Sequence, residues 1–182
     1  MIFSPLQVGL AFLPANLIMA AFSLGLSAKL VMRFGIRGLL VTGLLIASAG
    51  LGLFAMAPLH GSFIIHVLPG MVLLGLGAGM AFNPMLLAAM SDVEPSQSGL
   101  ASGVVNTSFM MGGALGLAVL ASLAVARTNT QLTSGVDAVA ALNSGYHLAF
   151  FVGAVFAAIG GILGGVFIQT PTAARTSPLP NP

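Results

Sequence analysis

Ala28-Lys29-Leu30-Val31-Met32-Arg33-Phe34-Gly35-Ile36-Arg37 holds three of the five basic residues of the 182-residue chain. No Asp, Glu, Lys or Arg occurs before Lys29, and none occurs from Gly38 to Ser91. A helix crosses the roughly 30 Å hydrocarbon layer with about 20 mostly apolar residues. The decapeptide is therefore a basic turn between apolar runs that each suffice to span a bilayer. Charged residues make up 4% of the chain and hydrophobic residues 58%, whereas a soluble domain carries about 25% charged residues. Lipid is the solvent this composition requires.

Working outward, Asp92, Glu94, Arg127, Asp137 and Arg175 mark further contacts with water. The block from 38 to 91 is about twice the length of one span and is broken by Ala57-Pro58-Leu59-His60-Gly61-Ser62. The expectation is an all-α polytopic membrane protein with five transmembrane helices at about 5–32, 38–56, 62–90, 95–126 and 146–168. They make one segment over 1–170, followed by a Pro-, Thr- and Ser-rich tail over 171–182 that is expected to be disordered and cytoplasmic. Pro5 and Pro95 suit helix starts, where the missing N–H costs no bond. Pro14, Pro69 and Pro84 fall inside spans and should bend them.

Orientation follows from where Lys and Arg collect. With five spans, Lys29, Arg33, Arg37 and Arg175 share one side and Arg127 stands on the other. The expected topology puts the N-terminus outside and the C-terminus in the cytoplasm.

Several function classes find no support. The basic residues form no stripe with interleaved aromatics, so nucleic acid is not an expected partner. Cysteine is absent, which removes disulfides, thiol catalysis and Cys-based metal sites. There is no GxSxG elbow, P-loop or HExxH, and neither a cofactor nor a resident metal is expected. His60 and His66 have no carboxylate near them in sequence and suit an interfacial position better than a metal site. The sequon Asn106-Thr107-Ser108 lies inside a span and is discounted. The chain is not expected to be an enzyme.

Helices in lipid associate through small residues that let backbones approach. Gly75 and Gly79 are four apart; Gly99, Gly103, Asn106, Met110, Gly113 and Leu117 share a narrow arc; Gly160 and Gly164 do likewise. These are expected packing faces. The polar residues at depth are amides and hydroxyls, with no ionisable group assigned to the interior of a span. Asn16 follows the Pro14 bend, Asn83 precedes Pro84, and Asn106 lies on the small-residue arc. Interhelical hydrogen bonding and the lining of a polar cavity both fit them. Met80, Met85, Met90, Met110 and Met111 would suit an adaptable apolar pocket, or ordinary filling.

Four segments together resemble a known family. They are Ser4-Pro5-Leu6-Gln7-Val8-Gly9, the basic decapeptide, Gly99-Leu100-Ala101-Ser102-Gly103-Val104-Val105-Asn106 with Gly112-Gly113-Ala114-Leu115-Gly116, and Leu142-Asn143-Ser144-Gly145-Tyr146-His147. In this order they resemble the C-terminal part of the major facilitator superfamily, in its branch of fourteen-span drug:proton antiporters. Lys29, Arg33, Gly35 and Arg37 match the family's cytoplasmic loop motif, G-x-L-A-D-R-x-G-x-R. Ala28 stands for its Gly and Met32 for its Asp, so the loop lacks the carboxylate of the family's charge network.

The resemblance implies the last five helices of a six-helix bundle, itself one half of a carrier. It implies that the third expected span lines the central cavity and that the first and fourth meet the other half. The second and fifth would lie outside. Met80, Asn83, Pro84, Asn106, Met110 and Asn16 become the candidate substrate path. The implied partners are the bilayer, the missing N-terminal half, a small apolar or cationic substrate and a proton, in a bacterial inner membrane. The alternative is a non-transporting membrane module or remnant that acts only by helix packing.

Overall fold

Glycine and alanine line the helix contacts, with Leu39, Leu40 and Met71 buried among them and most other large apolar side chains facing outward. A computed structural model describes residues 17, 20, 27–59, 63–91 and 93–168. Among these, four helices are long and apolar enough to cross a membrane: α1 (Ser27–Ala55), α2 (Leu68–Met90), α3 (Ser98–Thr133) and α4 (Ala138–Phe167). A π-helical turn, Phe63–Val67, leads into α2, and a 3-10 turn, Pro95–Gln97, leads into α3. The first expected span lies largely outside the described residues, as does the tail.

α1 is two helical pieces joined at Gly35, whose φ of 75° and ψ of 161° break the helix. That φ belongs to glycine, because a Cβ would meet backbone there. The break falls in the basic decapeptide, where sequence places a loop. Beyond it, residues 36–55 span about 30 Å at 1.5 Å per residue, one hydrocarbon thickness.

The helices pack in the order α2–α1–α4–α3, each pair antiparallel. α1 and α2 cross at glycines: a Cβ on Gly43 would lie 2.8 Å from the Gly77 carbonyl oxygen, and one on Gly50 would lie 2.8 Å from that of Gly70. Leu40, Leu44 and Leu51 of α1 lie against Gly164, Gly160 and Gly153 of α4. Ser48 Oγ donates to the Ala154 carbonyl at 2.7 Å, an interhelical bond within the apolar layer. Other hydroxyls turn back on their own helix, as Thr42 does to Gly38 and Ser122 to Ala118, which satisfies them without a partner in lipid.

α3 and α4 form a hairpin. α3 has 36 residues, about 54 Å, which exceeds the hydrocarbon thickness. The expected end near Ala126 falls inside α3, and the expected start at Tyr146 falls inside α4; the hairpin stands out past the end of α1. Its turn is set by local chemistry. Gly135 has φ 79°; its N–H donates to the Leu132 carbonyl at 3.0 Å, and that of Val136 donates to the Gln131 carbonyl at 3.1 Å. This is the Schellman pattern, which closes the last carbonyls of α3. Asp137 then caps α4, its Oδ2 accepting from the Val139 N–H at 3.0 Å.

Candidate functional site

Among the candidate path residues of α2, Pro84 is fully buried. It continues the row Gly77, Ala81, Pro84, spaced as one helix face, that packs on α1. Met80 borders the same interface, its Cβ being 3.0 Å from where a Cβ on Gly43 would stand. Asn83 is half-buried on an adjacent face. Pro84 has no N–H to offer the Met80 carbonyl, so a backbone acceptor is freed one turn from the Asn83 amide. Asn16 lies outside the described residues.

On α3, Asn106 is exposed and Met110 is 67% exposed. The arc that carries them splits in two. In its outer part Leu120 approaches Gly153, and a Cβ on Gly145 would meet the Ala124 carbonyl and the Thr128 hydroxyl. In the part nearer the start of α3, a Cβ on Gly99, Gly103 or Gly113 would meet nothing within 4 Å among the described residues, and the same holds for Gly112 and Gly116 on another face. Among the described residues, the small-residue face of α3 at Gly99, Gly103 and Gly113 meets no neighbour. Ala124 is the single buried residue of this helix. Phe82 and Phe109 bring α2 and α3 together edge to face, 5.9 Å between centroids.

Gly75 and Gly79 are buried on the face of α2 turned from Gly77. Gly160 and Gly164 meet leucines of α1. Lys29, Arg33 and Arg37 are exposed, with Arg33 stacked 5.7 Å from the Phe34 ring. The tight contacts at Gly43, Gly50, Gly70, Gly77 and Gly145 escape the sequence argument. Glycine is too abundant here for spacing alone to choose among 24 of them.

A polar cluster at the outer ends also escapes it. His147 Nε2 lies 2.8 Å from the Ala57 carbonyl oxygen. A carbonyl only accepts, so this nitrogen carries the proton. Asn143 Nδ2 lies 3.1 Å from the same nitrogen. One turn away, Ser144 Oγ accepts from Arg127 Nε at 3.1 Å and from Gln131 Nε2 at 3.4 Å. The Asn143 and His147 spacing of four, with Ser144 beside them, was the available signal for a polar edge on this helix.

A family model described as Major Facilitator Superfamily matches residues 2–182. The chain is 33% identical over 180 residues to the puromycin resistance protein of Streptomyces alboniger, covering 94% of this chain and 35% of that protein. It is 32% identical over 176 residues to a cephamycin export protein of Amycolatopsis lactamdurans, covering 97% and 34% respectively. It is 32% identical over 123 residues to a drug efflux pump of Mycobacterium tuberculosis, covering 68% and 24%. The chain spans about a third of the length of the first two of these relatives.

Proposed function

The chain is a multi-pass membrane protein of the major facilitator superfamily, a family of carriers rather than enzymes, and from that premise we propose that it acts as the C-terminal part of a proton-coupled exporter of small drug-like molecules. The observation that carries this is the small-residue face of α3 near its start. A transmembrane helix whose Gly99, Gly103 and Gly113 meet nothing among the described residues is shaped for close backbone approach. The chain's one-third coverage of its relatives makes the rest of a longer carrier the natural occupant. Alternating access needs two halves that rock about a midplane site, and these four helices form part of one.

In this reading Asn83, Met80 and the carbonyl freed by Pro84 stand on the path from α2. Asn106 and Met110 stand on it from α3. Apolar walls with few amides suit an apolar or cationic substrate, as the resistance and export proteins suggest. The basic turn lies in the cytoplasm and the α3–α4 turn outside the bacterial inner membrane. No carboxylate is assigned inside a described span, so the proton site would belong to the other half.

Everted membrane vesicles test this. The chain joined to the N-terminal half of a relative should take up puromycin or a cationic dye when the lumen is acidified, and the chain alone should not. Uptake by the joined protein should fall at least about tenfold in Asn83→Ala, as for a group lost from a polar site. Absence of proton-driven flux from the joined protein, with a stable oligomer of the chain alone, would favour the packing module instead.

A further inference from the structure

The outer polar cluster overhangs a groove of about 620 Å³ that the transport reading does not use. Its floor is Leu148 and Phe151 of α4, its walls are Ala55 at the end of α1 and Met56 just past it, and Arg127 and Ser144 stand at its head. On α1 these walls lie roughly opposite the face that packs on α2, so the groove opens away from α2.

Among the described residues, the donors at its head have N–H and O–H groups with no acceptor beyond the Arg127–Ser144 bond. Arg127 is exposed; Nε is spent on Ser144, and no carboxylate among the described residues pairs with its remaining N–H groups. Ser144 Oγ already accepts twice, which leaves its O–H to donate. Asp137 is engaged at the start of α4. Depth is fixed by Gly153, which meets both Leu51 and Leu120. Arg127 is two turns beyond Leu120, about 10 Å, which puts it just past the end of α1 at headgroup level. Below it, Leu148, Phe151 and Val155 descend along α4, with Phe151 59% exposed.

We propose that this groove holds an anionic phospholipid of the leaflet nearest the α3–α4 turn. Arg127 and Ser144 take its phosphate, and one acyl chain lies over Leu148 and Phe151. Guanidinium and hydroxyl donors suit a phosphodiester, and the apolar floor suits a chain that a free anion lacks.

The protein has no tryptophan, so Phe151→Trp supplies a sole reporter. It would be reconstituted with brominated phosphatidylglycerol in phosphatidylcholine, and with the labels exchanged. Quenching should favour phosphatidylglycerol about fivefold, the effect of one basic residue at an anionic surface. The preference should vanish with Arg127→Gln and weaken with Ser144→Ala. Ile162→Trp, exposed on the same helix far from the cluster, should show no preference. Equal quenching by both lipids, or none by either because protein fills the groove, overturns the proposal. So does loss of the preference in excess inorganic phosphate, which would make this a site for the free anion. None of these readouts depends on transport, so the proposal stands or falls apart from the exporter reading.

Discussion

Gly77 shows how little space separates these helices. A Cβ there would collide with the backbone nitrogen of Ala47 and stand 2.5 Å from the Gly43 carbonyl oxygen. Backbone cannot rotate aside, so a larger residue must push α1 from α2. Gly77→Val should lower stability in detergent by about 1–3 kcal/mol or more, the scale of overpacking. Gly99→Val, facing open space, should leave the melting temperature of the isolated chain unchanged. Ser48→Ala removes the bond to Ala154 and should cost about 0.6 kcal/mol, the average for such bonds between membrane helices. Equal effects at Gly77 and Gly99 would show that the α1–α2 contact is not the tight one.

At the scale of elements, the α3–α4 hairpin is set by its turn. Gly135 closes one helix and Asp137 opens the next, through bonds confined to residues 130–139. Asp137→Ala should cost about 1 kcal/mol, as for loss of an N-cap. Amide exchange should then quicken at Val139 and its neighbours while the far end of α4 stays protected. Unchanged exchange there would mean the cap contributes nothing. α3 behaves differently along its length: the half near the α3–α4 turn is held by α4, and in the other half Phe109 meets Phe82 of α2 while Gly99, Gly103 and Gly113 meet nothing among the described residues. Small residues on one arc suggested a packing face at Gly99, Gly103 and Gly113, but the contacts seen with α4 are at Leu120, Ala124 and Thr128. The arc did not tell where along its length a partner lies.

For the whole molecule, the proposed role in a carrier rests on the face of α3 that meets nothing among the described residues. Gly103→Leu should leave the chain folded, with unchanged helical content and melting, and should abolish transport when the chain is joined to an N-terminal half. Retained transport would remove that face from the contact between halves. Topology is open to direct measurement because the chain has no cysteine. A membrane-impermeant maleimide applied to intact cells should label Ser134→Cys and spare Arg33→Cys. The reverse pattern would invert the arrangement.

Composition alone pointed to a multi-pass membrane protein, as family membership and four apolar helices long enough to cross a membrane agree. A chain with so few charges has no other solvent, and each charge must stand where a span ends. The break at Gly35 was legible too, because a basic turn needs a residue free to take positive φ. Membership of the family was legible in the order of four segments. Which glycines touch was not, since contact depends on how helices distant in sequence are brought side by side. Nor was the cluster of Arg127, Gln131, Ser144 and His147, whose members come from two helices and whose histidine meets the carbonyl of Ala57, just past the end of α1. Periodicity assigns a residue to a face, but only packing in three dimensions decides what that face meets.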